Sequence, residues 1–508
     1  MKLLNYQTLK EQEYDGYLLK EAPERVLQFG EGNFLRAFAD CFIDQMNERA
    51  GFDGKVVLVQ PNARESSCGT ADRMNEQEGL YTLYLRGLAD GQRVNEKRII
   101  SCVSRCLNMY RDYDSVMACA ENPDLRFILC NTTEAGIVYD PSCGRYDTPP
   151  ASYPAKLTQF LYRRFLLFGD TAGKGFVILP CELIEDNGQT LKQCVLRYSR
   201  QWKMGAPFLQ WLEKETIFCS TLVDRIVTGY PTAEAETLER ENGYRDCLMD
   251  TGELFASWII EGPETLKQEL PAAQAGLPVR FTYDHRPYRE RKVRILNGAH
   301  TLMAPGAFLA GQKIVRECMQ EPVIRAFLDR AVYDEILPTL SLPEEECRDF
   351  AAAVMQRFQN PFIDHSLLAI SLNSTSKWRT RLLPSLEGFL ETFGYLPECI
   401  TASFAFYLAF CHGTKLTDKG LLSRRENGDA YTVSDDRQVL NFYYTHRRDS
   451  TEELVRAVCG NLSFWGRDLT ELPGFEETVC RYLDRIRAHG VLAVMRQISD
   501  GDASLLKR

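Results

Sequence analysis

Apolar runs broken by glycine and proline turns mark the first half of the chain. RVLQFGEGNFLRAFADCFIDQMNERA, residues 25–50, reads as a buried strand, a glycine turn and an amphipathic helix. VVLVQ at 56–60 is a second buried strand, closed by Pro61. TLYLRG at 82–87 reads as a wetter strand. DLRFILCNTTEAG at 124–136 and GFVILPCELIEDNG at 175–188 each pass from a strand into a polar turn, and FCSTLVDRIV at 218–227 adds another short apolar element. Strands alternating with helical stretches predict an α/β fold with a mostly parallel sheet. After about residue 285 the pattern becomes helical, in KVRILNGAHTLMA, EPVIRAFLDRAVYDEIL, EEECRDFAAAVMQRFQN and ITASFAFYLAF. Pro305-Gly306 predicts the end of the first of these helices. The expected division is 1–284, α/β, and 285–508, mainly helical.

Length and composition narrow the classes. A chain of 508 residues exceeds one ordinary core, so two or three domains are expected. The net charge is -10 and no basic block dominates, which argues against a nucleic-acid groove. No signal peptide and no long apolar span is evident, so a cytoplasmic protein without membrane attachment is expected. The 17 cysteines form no CxxC pair and several sit in apolar runs, which fits free thiols in a reducing compartment. The six histidines show no HExxH or other close metal spacing, although a scattered, long-range metal site stays open. Nothing in the chain sets an oligomeric state.

Chemistry concentrates at two places. FGEGNF, 29–34, carries Gly30 and Gly32 between the first strand and first helix. Gly30 suits a tight turn. Gly32 would let a pyrophosphate approach the backbone at a helix N-terminus, making the first domain a candidate Rossmann-like dinucleotide-binding domain. The third glycine of GxGxxG is replaced by Leu35. No acidic ribose ligand ends the second strand. Gln60 could bind a ribose hydroxyl there, or Arg64 a 2′-phosphate, which leaves NAD and NADP both open. Glu31, inside the turn, has no evident role.

The second place is KVRILNGAH, 292–300. Read as a straight α-helix over 289–303, Asn297 projects about 140° and His300 about 80° from Lys292, so all three can border one recess. Among Ile295, Leu296 and Leu302, a lysine should lose proton affinity and become fit for proton exchange with an alcohol or carbonyl oxygen. Asn297 and His300 could donate to the same oxygen. A solvated lysine beside a satisfied core histidine fits the same spacing.

These motifs together give a specific resemblance. Gly30, Gly32, Phe34, Arg36 and Ala37 match GxGxFxRA, and Lys292, Asn297 and His300 match K-x4-N-x2-H, so the chain resembles the mannitol dehydrogenase family of polyol-type long-chain dehydrogenases. The resemblance implies NAD as cofactor, held at Gly30, Gly32, Asn33, Phe34 and Gln60. It implies a cofactor turn at TTEAG with Thr133 and Glu134. It also implies Asp224 and Arg225 of VDRI near an interdomain cleft. Lys292 becomes the general base for alcohol oxidation, Asn297 and His300 polarise the oxygen, and no catalytic metal is used. One departure matters: where many members have SCDN this chain has PCEL, with Leu183 at the place of a substrate-holding asparagine. PCELIEDNG, VVLVQP and SLNSTSKWRTRLLPSL (371–386) look like the branch acting on hexuronic acids. That branch implies NADH-dependent reduction of D-tagaturonate to D-altronate, with fructuronate and neutral polyols as rival substrates. A sugar acid needs a carboxylate partner, and Lys377, Arg379 and Arg381 are candidates. An extended segment would put all three on one side, and a helix would spread them. A binding protein that kept the fold without chemistry, or a metal hydrolase, are the competing classes.

Overall fold

The apolar runs of the first half become β1 (Glu24–Phe29), β2 (Lys55–Gln60), β3 (Val103–Asn108), β4 (Phe127–Cys130), β5 (Val177–Pro180) and β6 (Ile217–Phe218). They form one sheet in the order β3-β2-β1-β4-β5-β6, with every neighbouring pair parallel. This computed structural model describes residues 1–62, 65–89, 91–133 and 135–501. It divides into two compact units, Met1–His285 and Arg286–Arg508.

The sheet is covered on both faces, which explains why β2, β4 and β5 are continuously apolar, whereas the edge strand β3, VSRCLN, alternates and was not read from the sequence. Val26, Val56, Leu58, Phe127 and Leu129 face one core, shared with Phe38, Phe42 and Trp258. Leu27, Phe29, Val57, Val59 and Ile128 face the other, shared with Leu157, Phe160, Leu161 and Trp211. The order reverses between β1 and β4, and the loops leaving these two strands diverge there to open a crevice.

Three small sheets lie outside this plan. Tyr81–Ala89 and Gln92–Ile100 form an antiparallel hairpin, joined by Asp250–Glu253. Its first strand corrects the expectation for TLYLRG: residues 81–87 are all buried, because Asp250–Glu253 pairs along the edge that a two-stranded hairpin would leave wet. Ser220–Asp224, Ser257–Glu261 and Val279–Thr282 make the second sheet.

The second unit is helical apart from the third small sheet, Lys415–Thr417, Gly420–Arg424 and Ala430–Val433. The first helix does not stop at Pro305-Gly306. Gly298–Leu309 runs through both residues and packs against Glu398–Phe410, itself buried almost all round. A Cβ on Gly306 would come within 2.8 Å of the Phe406 ring and 2.9 Å of Met495, so the glycine permits a close approach here rather than ending the helix. Packing on every side outweighs the hydrogen bond lost at proline. Among the described residues no helix is long and apolar enough to cross a membrane. The 16 cysteines whose side chains are described are free, and all are buried except Cys247 and Cys480.

Candidate functional site

In the first unit, β1 is followed by Gly30, whose φ is +130°. A side chain there would be strained and would press on Leu35, the residue at the usual third-glycine position, 3.1 Å from a built Cβ. Gly32 is different. Its φ is an ordinary -70°, and a Cβ on it meets nothing within 4 Å. The open space above Gly32, at the start of the helical run 33–50, is a cradle that a phosphate can enter and a side chain would fill.

That run is not a plain α-helix. Arg36–Asp40 form a π-helical turn and are all buried. Arg36 donates to the Leu248 carbonyl and to Asn33 Oδ1, 2.6 Å away, and lies 3.6 Å from Asp250. Burial lifts both Asp40 and Asp250 to about 7.

A cavity of about 520 Å³ occupies the crevice, lined among others by Gly30, Gly32, Asn62, Thr132, Thr133 and Lys156. Thr133 holds a φ of +82°, costly for a threonine. Lys156, which sequence reading missed, sits near the start of the helix Tyr153–Phe168; burial brings it down to about 8. The Ser152 cap and Pro154 announced that helix start, but not which side chain would face the crevice.

The other expected cofactor residues separate. Asn33 is engaged with Arg36, and Phe34 stacks on Phe38 at 5.2 Å. Gln60 is fully buried: its Oε1 accepts from Asn108, and Pro61 and Asn62 line the cavity instead. Glu134 and Arg64 lie outside the described residues. Glu31 lines the cavity wall, with burial raising its carboxyl.

Asp224 ends the strand Ser220–Asp224 and is buried. Arg225 donates to the backbone carbonyls of Ala37, Phe255 and Leu254, tying the helical run to the second sheet. Leu183 is 62% exposed. Asn187 does not stand in for the family asparagine. Its Nδ2 donates to the carbonyls of Pro180, Glu182 and Thr221, and its Oδ1 accepts from Gly188 and Thr221, which uses its capacity within the fold. Glu261, Asp284 and His285 place three potential metal-ligand atoms within 4.8 Å of one another, a long-range group that local spacing does not reveal.

In the second unit, Lys292 is the last residue of the helix Arg286–Lys292 and is half-buried. Val293–Asn297 form a second π-helical turn, with the Gly298 N–H donating to the Val293 carbonyl, before Gly298–Leu309 resumes α geometry. This corrects the straight-helix projection. A wider i→i+5 turn rotates less per residue than an α-helix, so Lys292 and Asn297 project closer together than a straight helix places them.

His300 is buried. Its ring stacks on Phe358 at 4.4 Å and meets His365 edge-on at 4.9 Å, and its Nε2 has no hydrogen-bond partner. Burial lowers its proton affinity well below the ordinary value, and His365, Arg381, Arg357 and Lys377 add to the effect. His300 is therefore neutral at pH 7, with one nitrogen still to satisfy.

SLNSTSKWRTRLLPSL resolves as a helix over Ser374–Arg381. Trp378 anchors it in the core, with Nε1 donating to Ser403 Oγ at 3.2 Å. Lys377 and Arg381, four residues apart, share a face, and Arg379 points elsewhere, exposed and against Gly466. Arg381 donates to Thr301 Oγ1 at 3.2 Å, one residue from His300. Lys377 donates to the Ile370 carbonyl at 2.8 Å. Burial and mutual repulsion lower the proton affinity of Lys377, and burial alone lowers that of Arg381. His365 and Arg357 join this cluster from positions remote in sequence, which is why spacing alone did not find them.

Known proteins place these features. The mannitol dehydrogenase Rossmann domain family matches residues 24–273, and the mannitol dehydrogenase C-terminal domain family matches residues 284–487. Altronate oxidoreductase of Pectobacterium carotovorum subsp. carotovorum (strain PC1) is 45% identical over 496 residues, covering 96% of this chain and 99% of its own. Altronate oxidoreductase of Escherichia coli O6:K15:H31 (strain 536 / UPEC) is 43% identical over 498 residues, covering 97% and 99%. Two solved structures share the fold. D-sorbitol dehydrogenase in substrate-free form has a TM-score of 0.81 at 21% identity, over 97% of this chain and 100% of that one. Pseudomonas fluorescens mannitol 2-dehydrogenase, in its ternary complex with NAD and D-mannitol, has 0.68 at 23%, over 98% and 100%. With both family domains matched in order along most of its length, the chain belongs to the mannitol dehydrogenase family.

Proposed function

We propose that this chain interconverts D-tagaturonate and D-altronate with NAD(H), using Lys292 as the proton carrier. As a member of its family it is an oxidoreductase. Its whole-length similarity to altronate oxidoreductases supports the hexuronate reading. The observation that carries the choice of an acid substrate is the cationic surrounding of His300. Lys377, Arg381 and Arg357 each disfavour a proton on His300, Arg381 also disfavours the one on Lys377, and a carboxylate beside them would relieve that repulsion.

The first unit fits a dinucleotide. Gly32 leaves room for the pyrophosphate, helical N–H groups face that room, and the crevice lies at the point where strand order reverses. NADH, when bound, supplies the hydride. The chain's own residues handle the oxygen. Neutral His300 turns its unsatisfied Nε2 to the substrate oxygen as an N–H donor, and Asn297 adds its amide N–H. Lys292 gives its Nζ proton to that oxygen during reduction and takes one back during oxidation. Lys377 and Arg381 hold the carboxylate, which fixes the register of the carbonyl.

The test is NADH consumption by purified protein with tagaturonate, fructuronate and fructose compared side by side, with chelator present. Tagaturonate should exceed fructose in kcat/KM by about 100-fold or more, the worth of one or two charge-assisted contacts. Preference for fructuronate moves the substrate within the acid class, and preference for fructose removes the carboxylate site. Lys292→Ala should lower kcat by about 100-fold or more and leave the NADH Kd unchanged. Retention of turnover across pH rejects the proton role.

A further inference from the structure

Behind the crevice lies a carboxyl group that the proposed chemistry does not use. Glu182 follows β5, in the PCELIEDNG loop, and is 2% exposed. Its Oε1 accepts from the Thr132 N–H at 2.8 Å and from Thr132 Oγ1 at 2.9 Å, and its Oε2 takes a weak contact from Cys130 Sγ at 3.4 Å. Its own backbone is fixed in turn, since Asn187 Nδ2 donates to the Glu182 carbonyl at 3.0 Å. Thr132 and Thr133 line the cavity, and Thr133 is the residue with positive φ. Gly136 closes over the same turn: its N–H donates to the Thr133 carbonyl at 3.0 Å, and a Cβ there would strike Thr132 Oγ1 at 2.0 Å.

A backbone held in a sparsely populated conformation persists only where its surroundings over-determine it. At this turn the grip comes from one side chain reaching across from the neighbouring strand's loop. We infer that Glu182 is a positioning residue for the dinucleotide: by holding Thr132 through two hydrogen bonds, it fixes the Asn131–Thr133 wall of the crevice in its binding shape. This rests on the reading of that crevice as the dinucleotide site. It also explains why a buried acid is kept near a site for an anionic cofactor. What matters is the length of the side chain and its acceptor oxygens, which are spent on Thr132 and Cys130, while burial raises the carboxyl's affinity for a proton.

Length and charge can be separated. Glu182→Gln keeps the reach and an acceptor for Thr132 but loses the charge. Glu182→Asp keeps the charge and loses the reach. NADH binding measured by calorimetry without sugar, beside steady-state kinetics, tests the inference. Glu182→Asp should weaken the NADH Kd and KM by about tenfold, with kcat at saturating NADH and the KM for the keto acid within about threefold. Glu182→Gln should restore the NADH Kd to within about threefold of wild type. The reverse order of the two variants, or a loss of kcat at unchanged Kd in a folded Glu182→Asp protein, overturns the inference. If Glu182→Asp does not fold, Thr132→Val, which removes one of the two donors, should give an intermediate loss of NADH affinity, and an unchanged Kd there is again decisive against it. Failure of wild-type protein to bind any dinucleotide rejects the reading of the crevice itself, and so is distinguishable from failure of the inference.

Discussion

Replacing Asp40 with asparagine should stabilise the first unit, and increasingly so as pH rises. Asp40 and Asp250 are both buried beside the single guanidinium of Arg36. One positive charge cannot pair fully with two carboxylates in a site this dry. Desolvation dominates at Asp40, and hydrogen bonds from Tyr81 and Gln28 with the charge of Arg36 offset only part of it, leaving the group at about 7 against an ordinary 3.8. The hydrogen-bond pattern agrees. Asp40 Oδ1 and Gln28 Oε1 are acceptors without donors, and a proton on Asp40 would supply one. Cys102 and Asp44 also face the group, the former donating to the Asp40 carbonyl at 3.3 Å.

The sign follows from linkage. The folded chain holds the Asp40 proton up to about pH 7, whereas the unfolded chain releases it near 3.8. Stability from this group is therefore fully present below pH 3.8 and is lost as pH rises through 7. At about 1.4 kcal/mol per tenfold in proton affinity, the ionised form costs about 4 kcal/mol above pH 8 as an upper figure. Some of that cost is already present at pH 5, so between pH 5 and 8 Asp40→Asn should gain about 2–3 kcal/mol relative to wild type. For a unit of this size the gain is roughly 5 °C in the thermal transition. Calorimetric scans of both proteins at the two pH values measure it. A constant difference between them, or a variant that loses ground as pH rises, would show that Asp40 is ionised and paired with Arg36, and the argument would fail.

Two further substitutions divide conformational from steric roles at the glycine turn. Gly30→Ala should destabilise the first unit by about 1–3 kcal/mol, because φ is +130° and Leu35 is in the way. Gly32→Ala should leave the melting temperature within a degree or so, yet weaken NADH binding by about tenfold or more, which calorimetry resolves. In the second unit, Arg381→Met should raise the KM for the keto acid by about 10–100-fold without changing the NADH Kd, whereas Arg379→Met should leave both unchanged. Equal effects of the two arginines would remove the helix-face argument.

The parallel sheet was legible because strands buried on both faces print as apolar runs, unbroken in β2, β4 and β5 and interrupted only by Gln28 in the last four residues of β1. The glycine turn was legible for a local reason: a φ of +130° admits few residues besides glycine. What sequence pattern missed was decided by partners distant in the chain. TLYLRG is polar enough to suggest a wet strand until Asp250–Glu253 covers its edge. Pro305 and Gly306 read as a stop until Phe406 and Met495 are packed against them.

The candidate catalytic run shows both sides of this in nine residues. The side-chain types in KVRILNGAH pointed to proton transfer, and a ruler of 3.6 residues per turn let Lys292, Asn297 and His300 border one recess with Asn297 about 140° from Lys292. The wide turn over Val293–Asn297 is not encoded by any residue that breaks a helix. Contacts from outside reach it instead: Arg291, just before the turn, pairs with Glu346 at 3.2 Å, and Arg294, within it, donates to Ser385 at 2.7 Å. The wider turn rotates less per residue, and so narrows the angle between a lysine and an asparagine five apart. The same holds for the cations near His300. Lys377 and Arg381 announce themselves by their i,i+4 spacing once the helix is known, but His365 and Arg357 enter only when the chain has folded back on itself. The proposed site draws its proton-transfer residues from one contiguous run and its charge from several segments, and only the first kind is written contiguously.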